Sequence, residues 1–248
     1  MPRRPPDWQL PISVTPGLWD YLHDEALAQQ YLAKVSDSPF AIADQRFVAQ
    51  RLTTPGKVVD LGCGPGRSLL PLAQRGFSCL GVDLSSAMLE EARAHFAQYQ
   101  LSAEWLQANL GEVLPIEDDS CEAVLCLFGT LGMPQPARAR MHLLREALRI
   151  TKPGGQLLLH VHNRWALQGW RKPFQSDVMT MPVHQGLTGL QMKVYTLTEI
   201  RQDLQQAGFR LEQVEYVSAE RSDGLYEGRR WLAGFTAAGF LLAGVKPA

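Results

Sequence analysis

The sequence has few of the features that mark membrane or secreted proteins. No apolar run approaches the ~18 residues of a membrane span, so we expect a soluble protein with no membrane partner. Residues 1–16 contain five prolines and no apolar stretch of the signal-peptide kind. We therefore expect a flexible N-terminal arm over residues 1–16 and a cytoplasmic protein.

The sequence also has few cysteines and almost no net charge. The formal net charge of -1 gives no general attraction for a polyanion, so nucleic acid is not an expected partner. The cysteines lie in apolar segments without the spacing of metal ligands, which favours reduced thiols and no metal site. There are four of them, Cys63, Cys79, Cys121 and Cys126.

What the chain does contain is an alternation of short apolar runs with helix-spaced segments. Such runs, when nearly continuous, are typical of a parallel sheet covered by helices on both faces. We predict an α/β fold: a Rossmann-like, doubly wound, seven-stranded sheet, mostly parallel with an antiparallel C-terminal strand. The predicted strands are residues 57–61, 77–84, 103–109, 121–128, 156–162, 209–217 and 237–247.

The same pattern predicts one domain over residues 17–248, a normal size for an α/β unit with added segments. Helix-spaced segments at 18–35 and 40–52 precede the first strand, and an irregular stretch follows the fifth. The predicted parts are N-terminal helices at 17–53, a core at 54–162, an insertion at 163–196, and a C-terminal helix and strand pair at 197–248.

A glycine turn follows the first predicted strand in VVDLGCGPGRSLL, residues 58–70. A dinucleotide-binding turn would have a third glycine where Arg67 stands, and no Gly-Lys-Ser or Gly-Lys-Thr of a phosphate-binding loop occurs. What remains is an acid and three alternate glycines, followed by a second acid at the end of the second strand. These residues are Asp60, Gly62, Gly64, Gly66 and Asp83.

With VVDLGCGPGRSL followed by LGVDLSSAML, the chain resembles the class I S-adenosylmethionine-dependent methyltransferases over roughly residues 40–162. The resemblance implies that S-adenosylmethionine is the cofactor and S-adenosylhomocysteine the product. It implies that Asp83 accepts hydrogen bonds from the ribose hydroxyls, since a carboxylate can accept two donors. Asp60 would lie near the methionine amino group, and the bare glycine turn would let the cofactor lie against the backbone.

The resemblance assigns further cofactor-binding residues. Leu84 and Met88 fall where relatives flank the adenine, and Asn109, followed by Leu110, falls where relatives often have an aspartate that receives the adenine amino group. The asparagine could instead cap a turn through local hydrogen bonds. Leu127, in the apolar stretch that ends the fourth strand, completes the set.

The acceptor is less explicit, because methyl transfer is an in-line displacement that depends on positioning and needs no fixed triad. The fourth strand lacks the Pro-Pro motif of enzymes that methylate planar amines, which favours a small organic acceptor. His160 and His162 lie on one face of the fifth strand, so either could be a general base or could bond loop backbone. His184, in the insertion, is the next candidate.

Three questions stay open at this point. The N-terminal helices could lie over the cofactor cleft, as in many relatives, with Tyr21 or Tyr31 near it. A tRNA methyltransferase with an assembled basic surface and a noncatalytic adenosyl-ligand-binding protein remain alternatives to a small-molecule enzyme. The protein is expected to be a monomer or a homodimer.

Overall fold

A seven-stranded sheet forms the centre of the protein. The computed structural model describes residues 4–168, 177–180 and 189–248. Its strands are β1 Lys57–Leu61, β2 Ser78–Asp83, β3 Glu104–Gln107, β4 Cys121–Cys126, β5 Thr151–His162, β6 Val178–Thr180, β7 Gln191–Lys193, β8 Arg210–Val217 and β9 Gly239–Val245. The large sheet has the order β3-β2-β1-β4-β5-β9-β8, while β6 and β7 pair separately.

The predicted direction of the strands is confirmed. The pairs β1 with β2, β1 with β4, β2 with β3 and β4 with β5 are parallel, whereas β9 runs antiparallel to both β5 and β8. Strands β1, β2 and β4 are buried along nearly their whole length, as expected of a sheet with helices on both faces. The order reverses between β1 and β4, and open α/β sheets bind ligands at the carboxyl ends of the strands beside such a point.

Helices flank the sheet and precede it. The α-helices are α1 Pro16–Leu22, α2 Glu25–Val35, α3 Pro39–Arg51, α4 Leu70–Gln74, α5 Ser86–Gln98, α6 Ala137–Ile150, α7 Arg164–Gln168, α8 Leu197–Ala207 and α9 Ala233–Thr236. Short 3-10 helices span Asp7–Gln9, Thr130–Gly132 and Arg230–Leu232. Among the described residues, no helix is long and apolar enough to cross a membrane.

The structure differs from the predicted elements in three places. The single helix expected at 18–35 is two helices, because the side chain of Asp24 caps a new helix by accepting from the Leu27 backbone N–H. Strand β5 begins at Thr151 rather than at residue 156. It follows directly on α6, which ends at Ile150. The short helix α9 between β8 and β9 has no sequence signal, because four residues are too few to carry a helical period.

Helices α1 and α2 lie over the carboxyl ends of β1 and β2. Leu18 and Leu22 of α1 pack with Leu84 beyond β2, and Leu27 of α2 packs with Met88 of α5. This packing places a roof of N-terminal residues above the edge of the sheet where a ligand would bind.

The turn after β1 brings α4 close to the rest of the sheet at Gly66. Its φ is +76°, and a Cβ atom there would lie 2.9 Å from Trp105 of β3 and 3.0 Å from Phe96 of α5. Gly76, at the end of the same helix, also has a positive φ of +83°, but a Cβ there would meet nothing within 4 Å. The two glycines therefore separate the cost of backbone strain from the cost of crowding.

We predict that Gly66→Ala lowers the melting temperature much more than Gly76→Ala. Both substitutions strain the backbone, at about 1–2 kcal/mol for a positive φ, but only Gly66→Ala adds overpacking of roughly 1–3 kcal/mol. Thermal unfolding followed by circular dichroism gives the comparison. Equal losses for the two variants would contradict the close packing at Gly66.

Candidate functional site

A deep cavity lies at the carboxyl ends of β1, β2 and β4, beneath α1 and α2. It has about 910 Å³ of empty space, including its open mouth. Its walls come from the N-terminal segment, the glycine turn, and the loops after β2, β3 and β4. The lining residues are Ser13, Val14, Leu18, Tyr21, Leu22, Tyr31, Asp60, Gly62, Cys63, Gly64, Arg67, Ser68, Asp83, Leu84, Met88, Asn109, Leu110, Leu127, Phe128, Thr130, Met133 and Pro134.

Nine of the ten cofactor-binding residues expected from the sequence line this cavity. The exception is Gly66, which does not line it and instead faces Phe96 and Trp105. Its glycine is required because the turn and α5 pack closely together, so the alternate glycines of the motif have different purposes. The assignment of Gly66 to the cofactor-binding residues stays a prediction, and close packing is the structural reason for its glycine.

The carboxylate of Asp83 joins the two loops that form the floor of the cavity. One oxygen accepts the Gly64 backbone N–H at 2.8 Å, and the other accepts the Ser85 backbone N–H at 2.9 Å. Burial raises the pKa of Asp83, while these backbone donors lower it in part. Each oxygen retains a free lone pair, so the carboxylate can accept two further donors from a ligand in the cavity.

The first two glycines of the turn have separate structural reasons. The Gly62 N–H donates to Val82 at 2.8 Å, and a Cβ on Gly62 would lie 2.4 Å from the Thr130 side chain. Gly64 has a φ of +51°, and a Cβ there would meet nothing within 4 Å, since the residue faces the open cavity. Bare backbone at Gly64 therefore leaves room for a ligand to approach the chain.

Asp60 is a buried carboxyl on the cavity wall that accepts no hydrogen bond within the described parts of the chain. Burial raises its pKa to about 7, against a partial lowering by the Arg67 guanidinium. A buried carboxylate without a partner is costly, so a cationic ligand group beside it would stabilise the ionised form.

The predicted adenine end of the cavity is held by the N-terminal arm. Leu84, Met88 and Leu110 line it as expected, but the polar atoms of Asn109 already have protein partners. Its Nδ2 donates to the Ile12 carbonyl at 2.9 Å, and its Oδ1 accepts the Gly111 N–H at 2.9 Å. Asn109 thus caps a turn and fastens the arm, and its Oδ1 has one lone pair left for a ligand donor.

Further residues line the cavity beyond those expected to bind the cofactor, among them the two tyrosines named above as candidates near the cleft. Tyr21 and Tyr31 reach the cavity from α1 and α2, and burial raises the pKa of both phenols, so they stay protonated donors at neutral pH. Arg67 and Phe128 also line it, although they come from different strand ends. Only the docking of the N-terminal helices could reveal the tyrosines, and helix spacing alone does not give that docking.

The structure does not bring the candidate bases to the cavity. His160 is fully buried, with Nδ1 2.6 Å from an Asp44 oxygen, and His162 is nearly as buried. Both rings pack against Phe128, whose ring centroid is 6.5 Å from each, and against Phe40, at 5.5 Å from His160 and 5.2 Å from His162. Burial, with His160 beside it, lowers the pKa of His162 to about 3. Neither histidine is among the described residues that line the cavity, so we expect that neither His160 nor His162 is the general base, and His184 lies outside the described residues.

The cavity fits the cofactor that the sequence suggested. It offers a carboxylate with two free acceptor positions, a second carboxylate without a partner, and a glycine that leaves the backbone bare. Apolar side chains from Leu84, Met88 and Leu127 provide surfaces for a flat ring. No group of three or more His, Cys, Asp or Glu that could hold a metal is found among the described residues.

Comparisons with known proteins agree with this site. Residues 58–155 match the model of a methyltransferase domain family. A ubiquinone biosynthesis O-methyltransferase of Hahella chejuensis is 31% identical over 119 residues, which is 48% of this chain and 48% of that protein. The chain thus spans about half the length of the curated relatives it matches.

Solved structures share the fold over almost the whole chain. A methyltransferase in complex with the Trm112 activator of Haloferax volcanii has a TM-score of 0.66 and 21% identity, over 90% of this chain and 97% of its own. Burkholderia thailandensis 1,6-didemethyltoxoflavin-N1-methyltransferase, solved with S-adenosylhomocysteine, has a TM-score of 0.66 and 14% identity, over 97% and 93%. At these identities the likeness establishes the fold.

The residues that the family model matches include the glycine turn and the two acids of the cavity wall. Over residues 58–155 the chain is similar to a methyltransferase domain family, and it shares its fold with a solved S-adenosylmethionine-dependent methyltransferase of Thermotoga maritima, with a TM-score of 0.63 and 21% identity over 90% of this chain and 97% of that one.

We predict that the affinity for S-adenosylhomocysteine rises as the pH increases from about 5.5 to 7 and then levels off, because Asp60, with a pKa of about 7, must ionise to pair with the ligand ammonium. Asp60→Asn should remove this dependence. Isothermal titration calorimetry across the pH range measures it, and parallel profiles for the two proteins would contradict it.

The same substitution has an opposite effect on the ligand-free protein. A carboxyl whose pKa is raised on folding keeps its proton longer in the folded than in the unfolded protein. The free energy of unfolding of wild type therefore falls as the pH rises toward 7, the pKa of folded Asp60. We predict that Asp60→Asn stabilises the free protein more at pH 8 than at pH 5, by a margin of about 2–3 kcal/mol. Urea unfolding at the two pH values tests this, and an equal effect at both would refute it.

We also predict that His162→Asn lowers the melting temperature but keeps methyl-transfer turnover within about tenfold of wild type, whereas loss of a general base costs roughly 10²–10⁴-fold. The pH–rate profile should not move, since the pKa of His162 is about 3. Turnover per folded molecule, corrected by calorimetry, is the measurement. A loss beyond a hundredfold with an altered profile would show that the ring reaches the acceptor.

Proposed function

We propose that this protein transfers a methyl group from S-adenosylmethionine to a small organic acceptor by in-line displacement. The observation that carries the proposal is the joining of Asp60, Asp83 and the bare Gly64 backbone in one roofed cavity. When bound, the cofactor would supply a methyl group activated by its sulfonium. Asp83 would hold the ribose, and Asp60 the amino group.

The contribution of the chain would be position and exclusion of water. Near-attack alignment of acceptor and methyl group can supply about 7–11 kcal/mol of the barrier, without a dedicated catalytic group. Helices α1 and α2 cover the cavity, and Leu127 is almost fully buried at its base. Because the apolar base is covered, water is excluded from the acceptor, which is held close to the transferred methyl group.

The acceptor side supports a small molecule. Leu127, Phe128 and Met133 give this part of the cavity apolar surfaces, in place of the polar groups that hold a planar amine. The Hahella chejuensis relative is named as an O-methyltransferase, which makes a small molecule with a hydroxyl group the first acceptor class to test.

The setting of the protein belongs to the same proposal. All four cysteines are free and buried, which is consistent with a reducing cytoplasm. We propose a monomer or a homodimer. Transfer to tRNA and binding without catalysis are the competing functions, and each gives a different result in a transfer assay.

We predict that the purified protein moves labelled methyl from S-adenosylmethionine into the small-molecule fraction of a cell extract, and that Asp83→Ala abolishes this. Scintillation counting of separated metabolite and RNA fractions is the measurement. Asp37→Ala, which removes an exposed acid of the α2–α3 turn, is the matched control and should keep full activity.

Two other outcomes of this assay would each support one of the competing functions. Label confined to RNA, with binding that weakens steeply as salt rises, would replace the small-molecule function by tRNA methylation. Cofactor binding without label in any fraction would support a binding protein instead.

A further inference from the structure

The cavity wall contains opposite charges from neighbouring parts of the chain. Asp60 ends β1, and Arg67 follows the glycine turn that β1 leads into; both line the cavity. Among the described residues that line it, Arg67 is the one cationic side chain, beside the two carboxyls of Asp60 and Asp83. A ligand that carries a carboxylate into this cavity would meet two acids and one base.

The guanidinium of Arg67 is fixed from three sides. Its Nη2 donates to an Asp44 oxygen at 2.8 Å, and its Nη1 donates to the Ala41 carbonyl at 3.1 Å. Its Cζ lies 5.3 Å from the centroid of the Phe128 ring. These contacts use two of its five N–H donors, so the others can serve a ligand.

Asp44 holds Arg67 from the N-terminal part of the chain. This acid, on α3, is completely buried and also accepts from His160 Nδ1 at 2.6 Å. Burial would raise the pKa of Asp44, but His160 and Arg67 outweigh it and lower that pKa. The acid therefore stays ionised and keeps the guanidinium in one orientation.

The proposed cofactor carries a zwitterion at its methionine end. Buried charges need partners, so an ammonium beside Asp60 would pair that acid, and a carboxylate would meet the N–H donors of Arg67 that Asp44 and Ala41 leave free. Without a cation on the wall, the ligand carboxylate would enter a cavity that already holds two acids.

We propose that Arg67 binds the carboxylate of the adenosyl ligand's amino acid group, that Asp60 and Arg67 together select a zwitterion, and that Asp44 is a positioning residue acting through Arg67. This assignment rests on the proposed function of the cavity as an S-adenosylmethionine site. It gives Arg67, whose place in the turn argued against a dinucleotide, a ligand-binding purpose.

The test uses three ligands that differ at this end of the molecule. They are S-adenosylhomocysteine, its decarboxylated analogue, which keeps the amine, and 5′-methylthioadenosine, which lacks both groups. Dissociation constants are measured by calorimetry for wild type, Arg67→Met, Arg67→Lys and Asp44→Asn. Arg93→Met, which removes an exposed arginine of α5, is the matched control.

Wild type should prefer S-adenosylhomocysteine over the decarboxylated ligand by about tenfold or more, as for a charge-assisted hydrogen bond. Arg67→Met should reduce this preference to within about threefold while leaving the affinity for 5′-methylthioadenosine unchanged. Arg67→Lys and Asp44→Asn should give intermediate preferences, and Arg93→Met should match wild type. A purely structural Arg67 would instead weaken all three ligands equally.

Two results overturn the assignment, and the first is measured on wild type alone. Equal wild-type affinity for S-adenosylhomocysteine and its decarboxylated form would show that no group of the protein recognises the carboxylate. A preference that persists in folded Arg67→Met would assign it to another residue. Failure of wild type to bind any of the three ligands would instead contradict the proposed function itself.

Discussion

The carboxylate of Asp83 is the contact on which the geometry of the cleft depends. It joins the glycine turn after β1 to the start of α5 by accepting one backbone N–H from each. Ser85, which supplies one of these donors, also donates its hydroxyl to the Leu22 carbonyl at 2.6 Å. One buried acid and its neighbour thus connect the floor of the cavity to the roof.

The N-terminal segment is part of the cleft rather than an appendage. Ile12 and Ser13 are held by Asn109 and by the Gln135 backbone N–H, and α1 and α2 cover the cavity. The resulting enclosure has a cost, because it buries Asp60 and raises its pKa to about 7. A cationic ligand offsets that cost, so affinity and the stability of the free protein are opposed at this residue.

Local patterns predicted the sheet and the floor of the site. Strand β1 has the predicted bounds, and Asp60, Gly64 and Asp83 meet because parallel strands end at one edge. What the sequence could not supply was long-range packing. The contact of Arg67 with Asp44 spans 23 residues, and the rings of His160 and His162 pack against Phe40 and Phe128. Alternation along β5 therefore predicted their shared face but not its surroundings.

The glycine motif shows the same limit on a smaller scale. Three alternate glycines look equivalent in sequence, yet Gly62 makes room for Thr130, Gly64 leaves the backbone open to the cavity, and Gly66 makes room for Trp105 and Phe96. Spacing identifies the motif because the turn as a whole needs positive φ angles, but only the neighbours of each residue separate ligand contact from packing.

We propose that the cavity binds an adenosyl amino acid ligand and not a dinucleotide. Calorimetric titration of the ligand-free wild-type protein with S-adenosylhomocysteine and, separately, with NAD tests it most directly. We expect saturable binding of S-adenosylhomocysteine at one site per chain and no heat of binding with NAD. Binding of NAD without binding of S-adenosylhomocysteine would contradict it.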